Sequence, residues 1–305
     1  MLIAIDHGNK QMKTASSQPF ISGLTKSMTE PYGEDVLQYE DAYYMLSSER
    51  LPYQRNKTED ERYFILTLFA IARELSLRGL PSETVMQIQL AVGLPPAHYA
   101  ALNRTFADYF SGRGVIRFQY RKKKYAVCID EVRCYPQAYA AAVTVLQRIM
   151  DCPKALVVDI GGFTADYLLM RNGKGDLSTC DSLEKGVILF YNGIRSKVNA
   201  EFDRLLEEAD IDAILRGEQS VYKPEIVEMV QAQAQTFVND LFNQFRERQL
   251  DLRSSRVVFV GGGAALLRRE IENSGKVENA IFVEDINANA KGYELLYRLE
   301  TKGRR

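Results

Sequence analysis

Cysteine and histidine are scarce in this chain of 305 residues: there are four cysteines, Cys128, Cys134, Cys152 and Cys180, and two histidines, His7 and His98. No two cysteines stand as C-x-x-C, and no spacing brings three or four thiol and imidazole ligands together, which excludes a structural zinc centre. The thiols are expected to be reduced and mostly buried. An excess of one charge is also missing. The 39 basic and 40 acidic residues leave a net charge of −1, so no whole-molecule field draws the chain to nucleic acid or to an anionic membrane. No apolar run approaches the roughly 18 residues that span a bilayer, and the chain opens on a strand rather than a signal peptide. A soluble, cytoplasmic protein with no membrane partner is the expectation. Proline-rich linkers, low-complexity tracts and short-period repeats are absent as well. A hydrophobic content of 46% over this length suits two medium cores better than one large one.

Three stretches carry chemistry. Val157-Val158-Asp159-Ile160-Gly161-Gly162-Phe163-Thr164-Ala165-Asp166 reads as a buried strand, a glycine turn and a returning strand. It delivers one carboxylate to the space the turn encloses, and its glycines let backbone amides approach an anion. Leu2-Ile3-Ala4-Ile5-Asp6-His7-Gly8-Asn9 repeats that grammar at the N-terminus, with Lys13 following. Val257-Val258-Phe259-Val260-Gly261-Gly262-Gly263 is a strand running into three glycines and then a helix, whose free amides suit a ribose and an α-phosphate. A Rossmann loop does not explain this last piece. The G-x-G-x-x-G spacing is missing, and too little chain follows for the remaining β-α-β unit.

Two Asp-x-Gly hairpins followed by a strand, three glycines and a helix resemble the actin, sugar-kinase and DnaK-type chaperone superfamily. Among its members the resemblance is to the bacterial ParM (StbA) actin-like proteins, through Asp6-His7-Gly8-Asn9, through Gly161-Gly162-Phe163-Thr164-Ala165-Asp166, and through the closing run Asn287-Ala288-Asn289-Ala290-Lys291-Gly292-Tyr293. The resemblance implies an α/β, actin-like two-lobed fold, each lobe a mixed sheet flanked by helices, with a nucleotide cleft between the lobes. Domain I would span 1–150 plus 285–305, with a small insertion subdomain at about 27–57. Domain II would span 151–284, with a helical subdomain at about 196–250.

It also implies ATP, with GTP open, and Mg²⁺ held through water by Asp6 and Asp159. Lys13 and the amides near Gly8 and Asn9 would contact the β- and γ-phosphates, as would the turn Gly161, Gly162 and Phe163, and Gly261, Gly262 and Gly263 would take the ribose and α-phosphate. Gln137, where ParM proteins commonly have a glutamate, would orient the attacking water, because an amide can hold a water but cannot act as a base. Asp166 would help to polarise that water. The implied function is ATP-driven assembly into filaments that segregate plasmid or phage DNA. The partners would be other copies of the chain and a centromere-binding adaptor, with DNA touched only indirectly. The alternatives are a small-molecule kinase of the same fold, for which Asp130 and Asp181 are available without a motif, and a nucleotide-gated scaffold.

Elsewhere, Thr58 is expected to cap a largely buried helix that ends at Gly79, and Pro136 to open a helix carrying Gln137 in its first turn. Helices are expected over 201–215 and 224–250. The basic run Arg121-Lys122-Lys123-Lys124 is expected at a solvated hairpin tip, with contact to DNA or an acidic partner as the other reading.

Overall fold

The computed structural model describes residues 1–80 and 84–302; the last three residues of the C-terminal segment expected in domain I, 303–305, lie outside the described residues. The chain divides into two compact units. One is Met1–Thr144 with the chain from Ile286 onward, and the other is Val145–Asp285. Among the described residues the strands form two sheets, one per unit.

The first unit runs β1 (Leu2–His7), β2 (Gln11–Thr14), β3 (Phe20–Ile21), β4 (Leu24–Ser27), β5 (Val36–Tyr39), β6 (Ala42–Leu46), α1 (Arg62–Leu77), β7 (Met86–Leu94), α2 (Pro96–Phe110), β8 (Val115–Tyr120), β9 (Lys123–Pro136) and α3 (Tyr139–Val143). Its sheet has the order β3-β2-β1-β7-β9-β8-β5-β6-β4. β5 and β6, the strands of the 27–57 segment, join the large sheet by pairing β5 with β8. At the β8–β9 turn Arg121 and Lys122 take φ values of 49° and 61°, the positive pair that a tight two-residue hairpin demands. Arg121 is turned back onto Asp35 at 2.9 Å, so the basic tip is in part an internal ion pair.

The second unit runs β10 (Lys154–Ile160), β11 (Ala165–Arg171), β12 (Lys174–Leu183), α4 (Val187–Phe202), α5 (Glu208–Leu215), α6 (Pro224–Glu247), β13 (Arg256–Val260), α7 (Gly262–Leu266), α8 (Arg268–Asn273) and β14 (Asn279–Phe282); α9 (Ala288–Lys302) then belongs to the first unit. Its sheet order is β12-β11-β10-β13-β14. The two sheets share one plan. In each, an antiparallel meander (β1, β2, β3 or β10, β11, β12) presents its first strand to two further strands that run parallel to it (β7, β9 or β13, β14). Parallel strands must be covered on both faces, and β1, β10 and β13 accordingly each carry four apolar residues in a row, while β7 is buried without a break from Leu90 to Leu94. Their carboxyl ends lie along one edge of each sheet, where open α/β sheets hold ligands.

The helices supply the covering. α1 buries residues all round, from Tyr63 to Ala72, as its pattern predicts. α6 buries Ile226, Val230, Ala234, Val238, Leu241, Phe242 and Phe245 along one stripe, whereas Val227 and Phe237 sit half-buried at its margin.

Four expectations need correction. Thr58 does not cap α1: its amide and hydroxyl both go to Asn56, Asp60 accepts from the Arg62 amide and guanidinium, and the helix starts four residues later. Pro136 does not open a helix but ends β9, opposite Leu94 at the last rung of the ladder with β7. The helix expected over 201–215 is broken at Asp203, which takes a left-handed φ of 50°. α5 restarts on a capping box between Glu207 and Asp210. The polar edge strand β12 gives no signal in the sequence, because Leu183 alone of its residues is buried and it carries no apolar alternation. The four cysteines are free, as expected, but each is only partly buried.

α9 lies directly on α3. A Cβ on Gly292 would overlap the carbonyl of Ala140, so only glycine permits this approach. Gly292→Ala is therefore expected to cost about 1–3 kcal/mol, the usual range for overpacking, read as a lower urea midpoint with an unchanged slope.

Candidate functional site

In the first unit the edge formed by the ends of β1, β7 and β9 gathers three of the expected residues. Asp6, only 2% exposed, accepts from Gln137 Nε2 at 2.8 Å through Oδ1 and faces Lys13 Nζ at 3.5 Å through Oδ2. The register explains the lysine, since Asp6 and Lys13 are direct partners across β1 and β2. Gln137 is fixed from its backbone as well, its amide donating to the Leu94 carbonyl at the end of β7. Donation from Nε2 to Asp6 leaves Gln137 Oε1 as the acceptor of the side chain.

The residue after Gln137 has an unusual backbone. Ala138 takes φ 59° and ψ −57°, and the Tyr139 amide donates to the Gln137 carbonyl, closing a three-residue γ-turn. For a residue with a side chain this conformation costs on the order of 1–3 kcal/mol and persists only where the surroundings impose it.

The loop after Asp6 is braced from behind. The Gly8 carbonyl accepts from Ser22 Oγ at 2.6 Å, and a Cβ on Gly8 would meet the Gln11 carbonyl oxygen at 2.5 Å. Asn9 turns its side chain to the Tyr63 hydroxyl at 3.1 Å. Lys57, which sequence reasoning missed, is buried with its ammonium on the His7 carbonyl and 5.2 Å from the centre of the Tyr63 ring. No motif marks it. It lies in an irregular polar stretch fifty residues from the loop it supports.

His7 points away from Asp6, as the alternation of a strand requires, into the core between α1 and α2. Its Nε2 shares a hydrogen bond with Thr67 Oγ1 at 2.8 Å, and it packs against Phe106 and Phe110. Burial foremost, and then the nearby Lys57 charge, lower its pKa from 6.5 to about 3, so it stays neutral.

In the second unit Asp159 and Asp166 stand directly opposite each other across β10 and β11, both buried. Thr164 Oγ1 donates to Asp166 at 3.2 Å, and the Ser182 hydroxyl donates to its other oxygen from the directly opposite position on β12. The intervening turn is locked. Gly161 donates its amide to Thr164, while the carbonyls of Gly161, Gly162 and Phe163 accept from the amides of Val187, Ile188 and Gly186. The turn's carbonyls thus face the start of α4, and the Gly161 amide is already committed.

Gly261 takes φ 90°, and a Cβ there would collide with the Asp159 carboxylate, so the glycine run and the acid share one corner. Gly263 lets α7 settle on Ile160 and Val187. α7 has five residues, so what it offers a ligand is its local amides, not a long helix dipole. Among the described residues no three His, Cys, Asp or Glu side chains converge as a metal cluster, and no helix is long and apolar enough to cross a membrane. Asp181 is paired with Arg248 at 3.6 Å and Asp130 is an exposed strand residue.

This arrangement, an acid-ended strand and glycine turn in each of two units of one plan, defines an actin-type fold. Residues 4–139 match the N-terminal domain of actin-like proteins, and residues 157–273 match the C-terminal part of the archaeal actin homologue MreB-like family. Both units thus carry domains of the actin-like proteins. An archaeal actin homologue in complex with ADP superposes with a TM-score of 0.75 at 15% identity, covering 98% of this chain and 99% of that one. The actin-like protein Alp7A gives 0.76 at 14% identity, over 100% and 98%. ParM of Bacillus thuringiensis with ATP gives 0.69 at 13% identity, over 99% of each. At such identities the likeness establishes the fold. No curated protein sequence matches the chain.

Between pH 6.5 and about 3 the unfolded chain binds a proton at His7 that the folded chain refuses, so this residue makes stability fall as pH drops through that window. The slope approaches about 1.4 kcal/mol per pH unit. His7→Phe keeps the packing and removes the proton. Urea unfolding without nucleotide or divalent metal is expected to show that part of the acid sensitivity lost.

Proposed function

We propose that this protein is an ATPase that binds ATP with Mg²⁺ through both acid-ended loops and polymerises in the nucleotide-bound form. The reading is carried by one observation: Asp6 and Asp159 occupy the same place in two sheets of the same plan, each followed by a glycine turn. When bound, Mg²⁺ neutralises charge on the phosphates, and it keeps most of its waters, so one carboxylate from each unit is enough to hold it. The donor set suits that ion, since Asp6 and Asp159 are strand-end carboxylates, the hard oxygen ligands that Mg²⁺ takes.

The other roles follow from each group's chemistry. Lys13 and the amides at Gly8 and Asn9 take the β- and γ-phosphates from one side, and Gly162 and Phe163 take them from the other. Gly261, Gly262 and Gly263 leave room for ribose and the α-phosphate. Gln137, its nitrogen committed to Asp6, offers Oε1 to the attacking water, and Asp166 helps to polarise that water. Bound nucleotide biases the two units toward an arrangement that fits a neighbouring copy, and hydrolysis weakens the fit. Filaments of this kind would move plasmid or phage DNA through an adaptor that binds the centromere, with the chain itself touching DNA only through that adaptor.

Purified protein with ATP and Mg²⁺ is expected to scatter light cooperatively above a critical concentration and to sediment, and to do neither with Mg²⁺ alone. Protein that stays monomeric at high concentration with ATP would remove the filament claim while leaving nucleotide binding intact. Gln137→Ala is expected to lower kcat on the order of 10²-fold, the loss typical of a mispositioned reactant, while assembly with ATP persists.

A further inference from the structure

The closing run from Asn287 to Tyr293 is one of the chain's most distinctive motifs. It forms the entry to α9, and three of its residues, Asn289, Gly292 and Tyr293, share one face of that helix at i, i+3 and i+4. Each makes a specific contact with a strand end of the site or with the turn and helix that follow β9. Gly292 admits the Ala140 carbonyl, and the Tyr293 ring occupies the space that a Cβ on Gly93 would need, near the end of β7. Tyr293 also stacks on Tyr135, with ring centres 6.2 Å apart. Asn289, itself buried, accepts the Ala138 amide on Oδ1 at 3.0 Å.

That amide belongs to the central residue of the strained γ-turn. The turn begins at Gln137, whose own amide is held by Leu94 and whose side chain is held by Asp6. An alanine has little reason to adopt a φ of 59° unless something stabilises the result, and the Asn289 oxygen receives the amide that this conformation presents. We infer that Asn289 is a positioning residue for Gln137. Acting through the Ala138 turn without touching the reacting atoms, it sets the direction in which the Gln137 amide group faces the phosphates. The inference rests on the reading of Gln137 as the group that orients water.

The test compares full-length wild-type protein with Gln137→Ala, Asn289→Ala, Asn289→Asp and the double variant Ala138→Gly/Asn289→Ala. The readouts are kcat and KM for ATP hydrolysis, affinity for a fluorescent ATP analogue, and Tm. Asn289→Ala is expected to lower kcat about tenfold or more, in the manner of a misplaced reacting group, with analogue affinity within about twofold of wild type. Asn289→Asp keeps an acceptor oxygen in the first turn of a helix, where a carboxylate is favoured, and should retain most of kcat. Glycine adopts positive φ freely, so Ala138→Gly should restore part of the kcat lost in Asn289→Ala.

If Gln137→Ala is slow and Asn289→Ala is as fast as wild type, the inference about Asn289 is wrong and the role of Gln137 stands. If Gln137→Ala hydrolyses at the wild-type rate, the reading of Gln137 falls and takes this inference with it. A loss of kcat and affinity together in Asn289→Ala, or a double variant that regains Tm but no kcat, reduces Asn289 to a structural support and overturns the proposal.

Discussion

A buried carboxylate at the carboxyl end of a parallel strand is costly to desolvate and survives only where hydrogen bonds or charge offset the loss of water. Each unit of this chain keeps such a group. Asp6 is held by an amide from Gln137 and an ammonium from Lys13. Asp159 is set opposite a second buried carboxylate, Asp166, which is tied down by two hydroxyls. The glycines follow from the same constraint. At Gly261 any side chain would collide with Asp159, and at Gly8 any side chain would strike the neighbouring backbone.

The repeated plan accounts for how one chain supports two such corners. A meander that hands its first strand to two parallel neighbours places the end of that strand at the middle of an edge, with a glycine turn on one side and a strand end on the other. Helices in each unit cover the faces of the sheet. α1 and α2 serve the first unit in this way, and α4 and α6 serve the second.

Much of this was legible in the sequence because it depends on short-range chemistry. The strands ending at Asp6, Asp159 and Val260 announce themselves by apolar runs that stop at an acid or at glycines, and α6 by its period. What was not legible depends on long-range partners. Pro136 looks like a helix opener, yet pairing with β7 extends β9 through it. Thr58 looks like a cap, yet Asn56 takes its donors first. β12 has no apolar face to betray it, and it is held by its ladder to β11. Neither Lys57 behind the first loop nor Asn289 beneath the γ-turn belongs to the site by spacing, since each reaches it from a distant part of the chain. The Gly161 amide shows the converse: a glycine turn that reads as a bare anion cradle has already committed part of itself to its own hairpin.

The central claim is that two strand-end carboxylates, one from each unit, serve the same metal-bound triphosphate. Calorimetric titration of ATP with Mg²⁺ into wild type, Asp6→Ala and Asp159→Ala, at a concentration below that of assembly, tests it most directly. Each substitution alone is expected to weaken binding about tenfold or more, and the double variant to be scarcely weaker than either single one, as for groups acting on one shared ion. Wild-type affinity in either single variant would contradict it.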